Sequence, residues 1–296
     1  MMNVKQNPFS FYDFLGYLIP GAVFLYGALL VVGHLLPTET AVDFVTSRLS
    51  FDKAEVYIPF ILLAYIIGHF LSFLSSITIE RYSIWAHGYP SKYLLGIPSK
   101  GYLHVAEHKG LRRVMRVIVF GVLAPISVLD WLLGAKAGMR DLYAKALDKL
   151  LIDVLRRRIE CLIDDHAQVP NRSEHGKASQ LDFFRYAYHY AVENAENHLP
   201  KMQNYVALYG FLRTLTFIAL ILFWIVVWHV ITAEVSCLVG LVTVSSAAIT
   251  TFLLFMGFVK FYRRFSLEAL MAMAVTYRCE PNTPLQVTSE SGAPEQ

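Results

Sequence analysis

Cysteine is nearly absent: Cys161, Cys237 and Cys279 are the three in 296 residues, odd in number and widely scattered. Such a set implies neither a disulfide framework nor a zinc site. A glycine-rich phosphate loop, a serine nucleophile elbow and a paired-cysteine motif are also missing. Their absence makes an enzyme the less favoured class. Charge is scarce as well, at 17% of residues, and unevenly spread. The stretches 14–36, 56–79, 214–233 and 235–259 contain no Asp, Glu, Lys or Arg, and each has at least 20 residues. A helix of that length crosses the roughly 30 Å hydrocarbon core of a bilayer.

What fills the chain instead is apolar: 55% of it is hydrophobic and 14% aromatic, above the usual share for soluble domains. The four stretches form two pairs. Between them, residues 80–213 hold 19 Lys or Arg against 13 Asp or Glu, whereas the loop 37–55 holds 2 against 4. Because Lys and Arg accumulate on the cytoplasmic side, the central block and both termini are expected inside. Ala233 and Glu234 suffice for a tight outer hairpin, and the fourth span exits into Lys260, Arg263 and Arg264. The first apolar stretch is too long for a signal peptide, and no small-residue cleavage site follows in 32–38. The expected fold is an all-α integral membrane protein. It comprises an N-terminal hairpin (1–79), a cytoplasmic helical domain (80–213), a C-terminal hairpin (214–264) and a cytoplasmic tail (265–296), disordered from about 280.

The N-terminal segment carries Phe9, Phe11 and Tyr12, residues suited to a membrane interface. Gly16, Pro20 and Gly21 predict a kink or half-helix entry in the first span. Trp224, Trp228 and His229 read as an outer aromatic belt. The charge-free run 117–129 is short, broken by Gly121 and Pro125 and basic on both flanks. It is expected to lie on or dip into the inner leaflet, or to pack in a soluble core, without crossing. Residues 139–165 read as one amphipathic helix with Leu147, Leu150, Leu151, Val154, Leu155 and Leu162 on one face. After a polar break at 170–176, Ser179 can cap a helix that runs to Pro200.

The opening FYDFLGYLIPG, the two-plus-two arrangement of spans and the run NYVALYGFLRTLTF entering the third span together resemble a loose group of bacterial inner-membrane proteins. Some proteins of comparable design in that group occur among antiviral defence systems. The resemblance implies an inner-membrane location and a setting in defence. It supplies no catalytic motif, and no residue roles follow from it.

Among candidate residues, His69 lies near the middle of the second span with Tyr65, Ser72 and Ser76 on nearly the same face. An ionisable group at that depth points to an ion or proton path. The favoured alternative is a neutral imidazole hydrogen-bonded within the helix bundle. Ala64, Gly68, Ser72 and Ser76 form a small-residue stripe of the kind that lets membrane helices approach closely. Arg112, Arg113, Arg116, Arg156, Arg157 and Arg158 are expected to face lipid head groups, with ion pairing along the helix as the rival for the last three. Nucleic acid is not favoured as a partner. His189, Glu193 and Glu196 share helical spacing, a weak metal pattern that exposed charged faces also produce, so no metal or other cofactor is expected. His34, His229 and the Asp164–Asp165–His166 cluster read as interfacial or solvated residues.

Four spans with at most one central ionisable residue do not readily build a transport path in one chain, but a ring of copies can. The leading expectation is therefore a self-assembling, pore-forming or membrane-perturbing effector gated by its cytoplasmic domain. The alternatives are a non-catalytic anchor or scaffold for a cytosolic partner, and a membrane enzyme with an acidic and histidine site.

Overall fold

The computed structural model describes residues 13–35, 54–97, 99, 102, 110–167, 183–233 and 236–279. The expected N-terminal interfacial aromatics, the break at 170–176, the Ser179 cap and the disordered tail beyond 280 lie outside the described residues. Every described element is helical, with no strand among them. A π-helical turn, Phe14–Leu18, runs into α1 (Ile19–Leu35), and α2 (Ala54–Ser75) continues through a second π turn, Ser76–Glu80. Then come α3 (Arg81–His87), α4 (Pro90–Leu94), α5 (Leu111–Val122), α6 (Ala124–Leu129), α7 (Lys149–Leu162), α8 (Phe184–Asn194), α9 (Leu199–Thr232) and α10 (Cys237–Thr276).

Four helical stretches are long and apolar enough to cross a membrane: Phe14–Val31, Tyr57–Leu94, Glu196–Thr232 and Cys237–Thr276. Only 17% to 28% of their most apolar windows is buried within the chain, which leaves most of that surface to lipid or to other protein. The first begins as a π turn because Pro20 has no N–H to offer the carbonyl four residues before it. At the far end, α9 has 34 residues and α10 has 40. At 1.5 Å per residue these are about 51 and 60 Å long, well beyond the hydrocarbon thickness. The two run side by side through both the apolar and the polar half of the molecule, so residues 265–276, expected in the tail, are helical.

The polar half packs on these projecting ends. Leu155, Ile159 and Leu162 of α7 and Ala187 and Ala191 of α8 meet Ala269, Leu270 and Met273 of α10 in one core. His198 Nδ1 and Lys201 Nζ lie 2.8 and 2.7 Å from the Glu268 carboxylate and fix the start of α9 to α10. A second core joins Ile79, Tyr82, Leu123, Ile126 and Tyr143 to Phe252, Phe255 and Phe258 nearer the spans.

Two sequence expectations need correction, and a third acquires its geometry. Residues 139–165 are not one helix: a 3-10 turn, Met139–Leu142, is followed by non-helical chain, and α7 starts only at Lys149. Its buried face is Ile152, Leu155, Ile159 and Leu162, while Leu150 and Val154 are 79% and 45% exposed. The helix expected to run to Pro200 stops at Asn194, because Ala195 leaves helical geometry at φ −123°, ψ 59°. Pro200 instead sits in the first turn of α9, where its missing N–H costs nothing. Finally, α5 and the continuous run from α6 through the π turn Asp130–Lys136 together are long and apolar enough to span, but they meet at 89°. Leu123 turns out of the helix at φ −90°, ψ 22° immediately before Ala124–Pro125, where proline cannot continue the hydrogen-bond ladder. The run 117–129 is thus a sharply broken helix, the geometry of a re-entrant loop or of a broken span.

Candidate functional site

The small-residue stripe of α2 divides into two parts. Ala64 and Gly68 are buried against the first span. A Cβ placed on Gly21 would overlap the carbonyl oxygen of Ala64, and one on Gly68 would overlap that of Tyr17. The two backbones therefore touch at Gly21 and Gly68. One turn further on, Ser72 and the neighbouring Ser75 are buried and serve a charge. Arg213 of α9 donates from Nε to Ser75 Oγ at 3.1 Å, from Nη2 to Ser72 Oγ at 3.2 Å, and from Nη1 to the Glu80 carboxylate. Ser76 turns back to donate to the Phe73 carbonyl at 2.7 Å. Glu80 and Arg213 are the charges that close the second and third charge-free stretches. Two antiparallel helices with charges of opposite sign at matching ends were the available signal for this pair.

His69 lies on the exposed side of α2. Its ring stacks on Tyr17 with centroids 3.7 Å apart and meets Tyr65 edge-on at 4.6 Å. The three aromatic rings make one cluster between the π turn Phe14–Leu18 and α2, next to the backbone seam at Gly68.

A second polar node, missed by the sequence reading, forms at the broken helix. Asp130 begins the π turn after α6 and is 2% exposed. Tyr143 donates to its Oδ1, Tyr82 of α3 donates to Oδ2 at 3.4 Å, and Arg140 Nη2 stands 3.4 Å from Oδ2. His87 Nε2 lies 3.5 Å from Oδ1, and neither ring nitrogen makes a hydrogen bond among the described residues. Burial, and then the Asp130 carboxylate, push the Tyr143 hydroxyl well above the ordinary phenol range, so it remains a donor. The result is a carboxylate with both oxygens engaged, an arrangement that fixes α3, the broken helix and Tyr143 to one another. A lone acid between Leu129 and Trp131 in an apolar stretch was the signal available in the sequence.

The basic candidates separate in the same way. Arg113 is exposed, whereas the Arg116 guanidinium lies 5.0 Å over the Trp85 ring. The side chain of Arg112 lies outside the described residues. Arg156 Nη2 donates to the Leu95 carbonyl at 2.6 Å and Arg158 Nη1 to that of Tyr277 at 3.1 Å, which leaves Arg157 exposed. His189 and Glu193 are exposed on α8, while Glu196 belongs to a separate 3-10 turn. Among the described residues no trio of His, Cys, Asp or Glu is placed to hold a metal ion.

Cys161 at the end of α7 and Cys279 beyond α10 are bonded to each other, with Cα atoms 6.0 Å apart across a sequence separation of 118. Spacing gave no hint of this pair, since the approach is made by helices that meet only in the folded polar half. Cys237 is free and exposed. No family model, no curated protein and no solved structure matches this chain.

Proposed function

We propose that this chain is a self-assembling integral membrane protein, pore-forming or membrane-perturbing, whose copies meet across the outer face of α2 under control of the polar half. The observation that carries this reading is the exposure of His69. It stands 13 residues from Val56 and 10 from Ile79, near the middle of a charge-free stretch. An imidazole turned toward hydrocarbon is costly, and a neighbouring copy would cover it. Ile66, Phe70 and Phe73, 64%, 61% and 60% exposed, supply large apolar side chains around it. The excess of Lys and Arg in residues 80–213 supports an orientation with the polar half and both termini in the cytoplasm. The resemblance carried jointly by the opening segment, the two-plus-two arrangement and the run into the third span supports the inner membrane as the location, with antiviral defence as the setting of some members of that group. Because α9 and α10 run unbroken through both halves, a change in the polar half has a rigid route to the spans.

Native mass measurement in nanodiscs, paired with dye release from vesicles between about pH 5 and 8, tests both parts. An oligomer that releases dye is expected, with His69→Leu changing the release or its pH response. A monomer that releases nothing rules the reading out.

A second reading, a membrane anchor for a cytosolic partner, is favoured by one observation. Leu150 and Val154, four residues apart on α7, leave an apolar strip on the outside of the polar half. Recovery of a stoichiometric partner that is lost in Leu150→Glu would support it.

A further inference from the structure

Where α2 gives way to α3, a cavity of about 600 Å³ opens between the π turn Ser76–Glu80, α3, α4, α8 and α10. Ile77 and Ile84 form an apolar side, Ser91 and Ser266 line it with hydroxyls, and Arg81 and Arg185 stand at it on two different helices. The volume lies in the range of small-molecule sites. Both arginines are exposed, while Ser91 and Ser266 are buried.

Its place in the fold narrows the ligand. Ile77 and Phe73 are 49% and 60% exposed on the apolar side, and Glu80 and Arg81 are the first charges after the stretch 56–79. The cavity therefore straddles the border between the apolar surface and the polar half. Its charge narrows the choice further. Glu80, the acid that lines it, is already matched by Arg213, so Arg81 and Arg185 give the cavity a positive balance. A molecule that presents an anion and hydroxyls at one end and hydrocarbon at the other satisfies every wall. Basic pockets between membrane helices are suited to phosphate head groups for the same reason.

We propose that this cavity binds the head group of an anionic phospholipid, with Arg81 and Arg185 pairing with its phosphate and the acyl chains lying along Ile77 and Phe73. The assignment concerns one chain and does not depend on assembly.

The test uses the full-length protein in detergent micelles doped with phosphatidylglycerol or with phosphatidylcholine, with bound lipid counted by native mass spectrometry. Retention of phosphatidylglycerol over phosphatidylcholine is expected. Arg81→Gln or Arg185→Gln should each weaken it about fivefold, and the double variant about thirtyfold. Lys149→Gln, an exposed basic residue at the start of α7 that does not line the cavity, should leave it unchanged, and helicity and melting midpoint should not move in any of these surface variants. Equal retention of the two lipids, an unaffected double variant, or a Lys149→Gln loss as large as the others would overturn the proposal. So would inorganic phosphate displacing the lipid at equal concentration, which would make the site one for free phosphate.

Discussion

Trp224 donates its indole N–H to the backbone carbonyl of Val122 at 2.8 Å, joining the last third of α9 to the break in the α5–α6 helix. The carbonyl is free because the ladder stops there: the Ile126 N–H, which would reach it in a continuous helix, bonds to Leu123 instead. Ser127 performs the matching service from inside the break, donating to the Phe120 carbonyl at 2.9 Å. Trp224 lies 11 residues beyond Arg213, roughly 16 Å along the helix axis. The break thus reaches well above the level of the Arg213–Glu80 pair.

Trp224→Phe keeps an aromatic ring and removes the donor. An orphaned carbonyl in apolar surroundings should cost about 1–3 kcal/mol, and Ser127→Ala about 1 kcal/mol. Thermal unfolding in detergent reads both. Unchanged midpoints in the two variants would mean that these bonds do not hold the break in place.

The α1–α2 seam makes a prediction with its own control. Gly21→Ala and Gly68→Ala each force a methyl into a backbone carbonyl, so both should lower the melting midpoint sharply or abolish folding. Gly27→Ala should be tolerated, since the nearest atom to its Cβ is Leu222 Cδ2 at 3.9 Å. If all three behave alike, close backbone contact is not what packs these helices.

The cysteines can be counted directly. In protein purified under oxidising conditions, where Cys161 and Cys279 join, maleimide should label once, at Cys237, and three times after reduction, the state that a reducing cytoplasm holds. Reduction should also lower stability by up to about 4–5 kcal/mol, the scale for closing a loop of that length. Labelling of all three without reductant would place the pair in a dithiol state and remove that contribution.

The four long apolar helices were legible because their signal is one-dimensional: a charge-free run of 20 residues needs no knowledge of neighbours. The proline that breaks α5 from α6 was legible for the same reason. What escaped depends on tertiary approach. The α7 face was misread because Leu150 and Ile152 are equally apolar, and only the position of α10 decides which is buried. By sequence alone Arg156 and Arg158 suit lipid head groups or ion pairs along the helix, and the carbonyls of Leu95 and Tyr277 that they reach are 61 and 119 residues away. Asp130 gave a signal, but its partners come from positions 48 residues before and 13 after, beyond any local pattern.

Asp130 gives the sharpest test of what the polar node does. Asp130→Ala would strip the acceptor from Tyr82 and Tyr143 and leave Arg140 unopposed, so about 3–5 kcal/mol should be lost. Tyr143→Phe removes one donor and should cost about 1–2 kcal/mol. The two differ in how pH acts on them. Because the folded Tyr143 hydroxyl is held above its ordinary value, its contribution is fully present below the unfolded pKa of about 10 and is lost as pH rises past it. The gap in stability between wild type and Tyr143→Phe should therefore stay constant from about pH 6 to 9 and shrink only above about pH 10. Melting midpoints measured across that range decide it: a gap that closes near neutral pH would mean the Tyr143 hydroxyl is not held by Asp130 in a buried site.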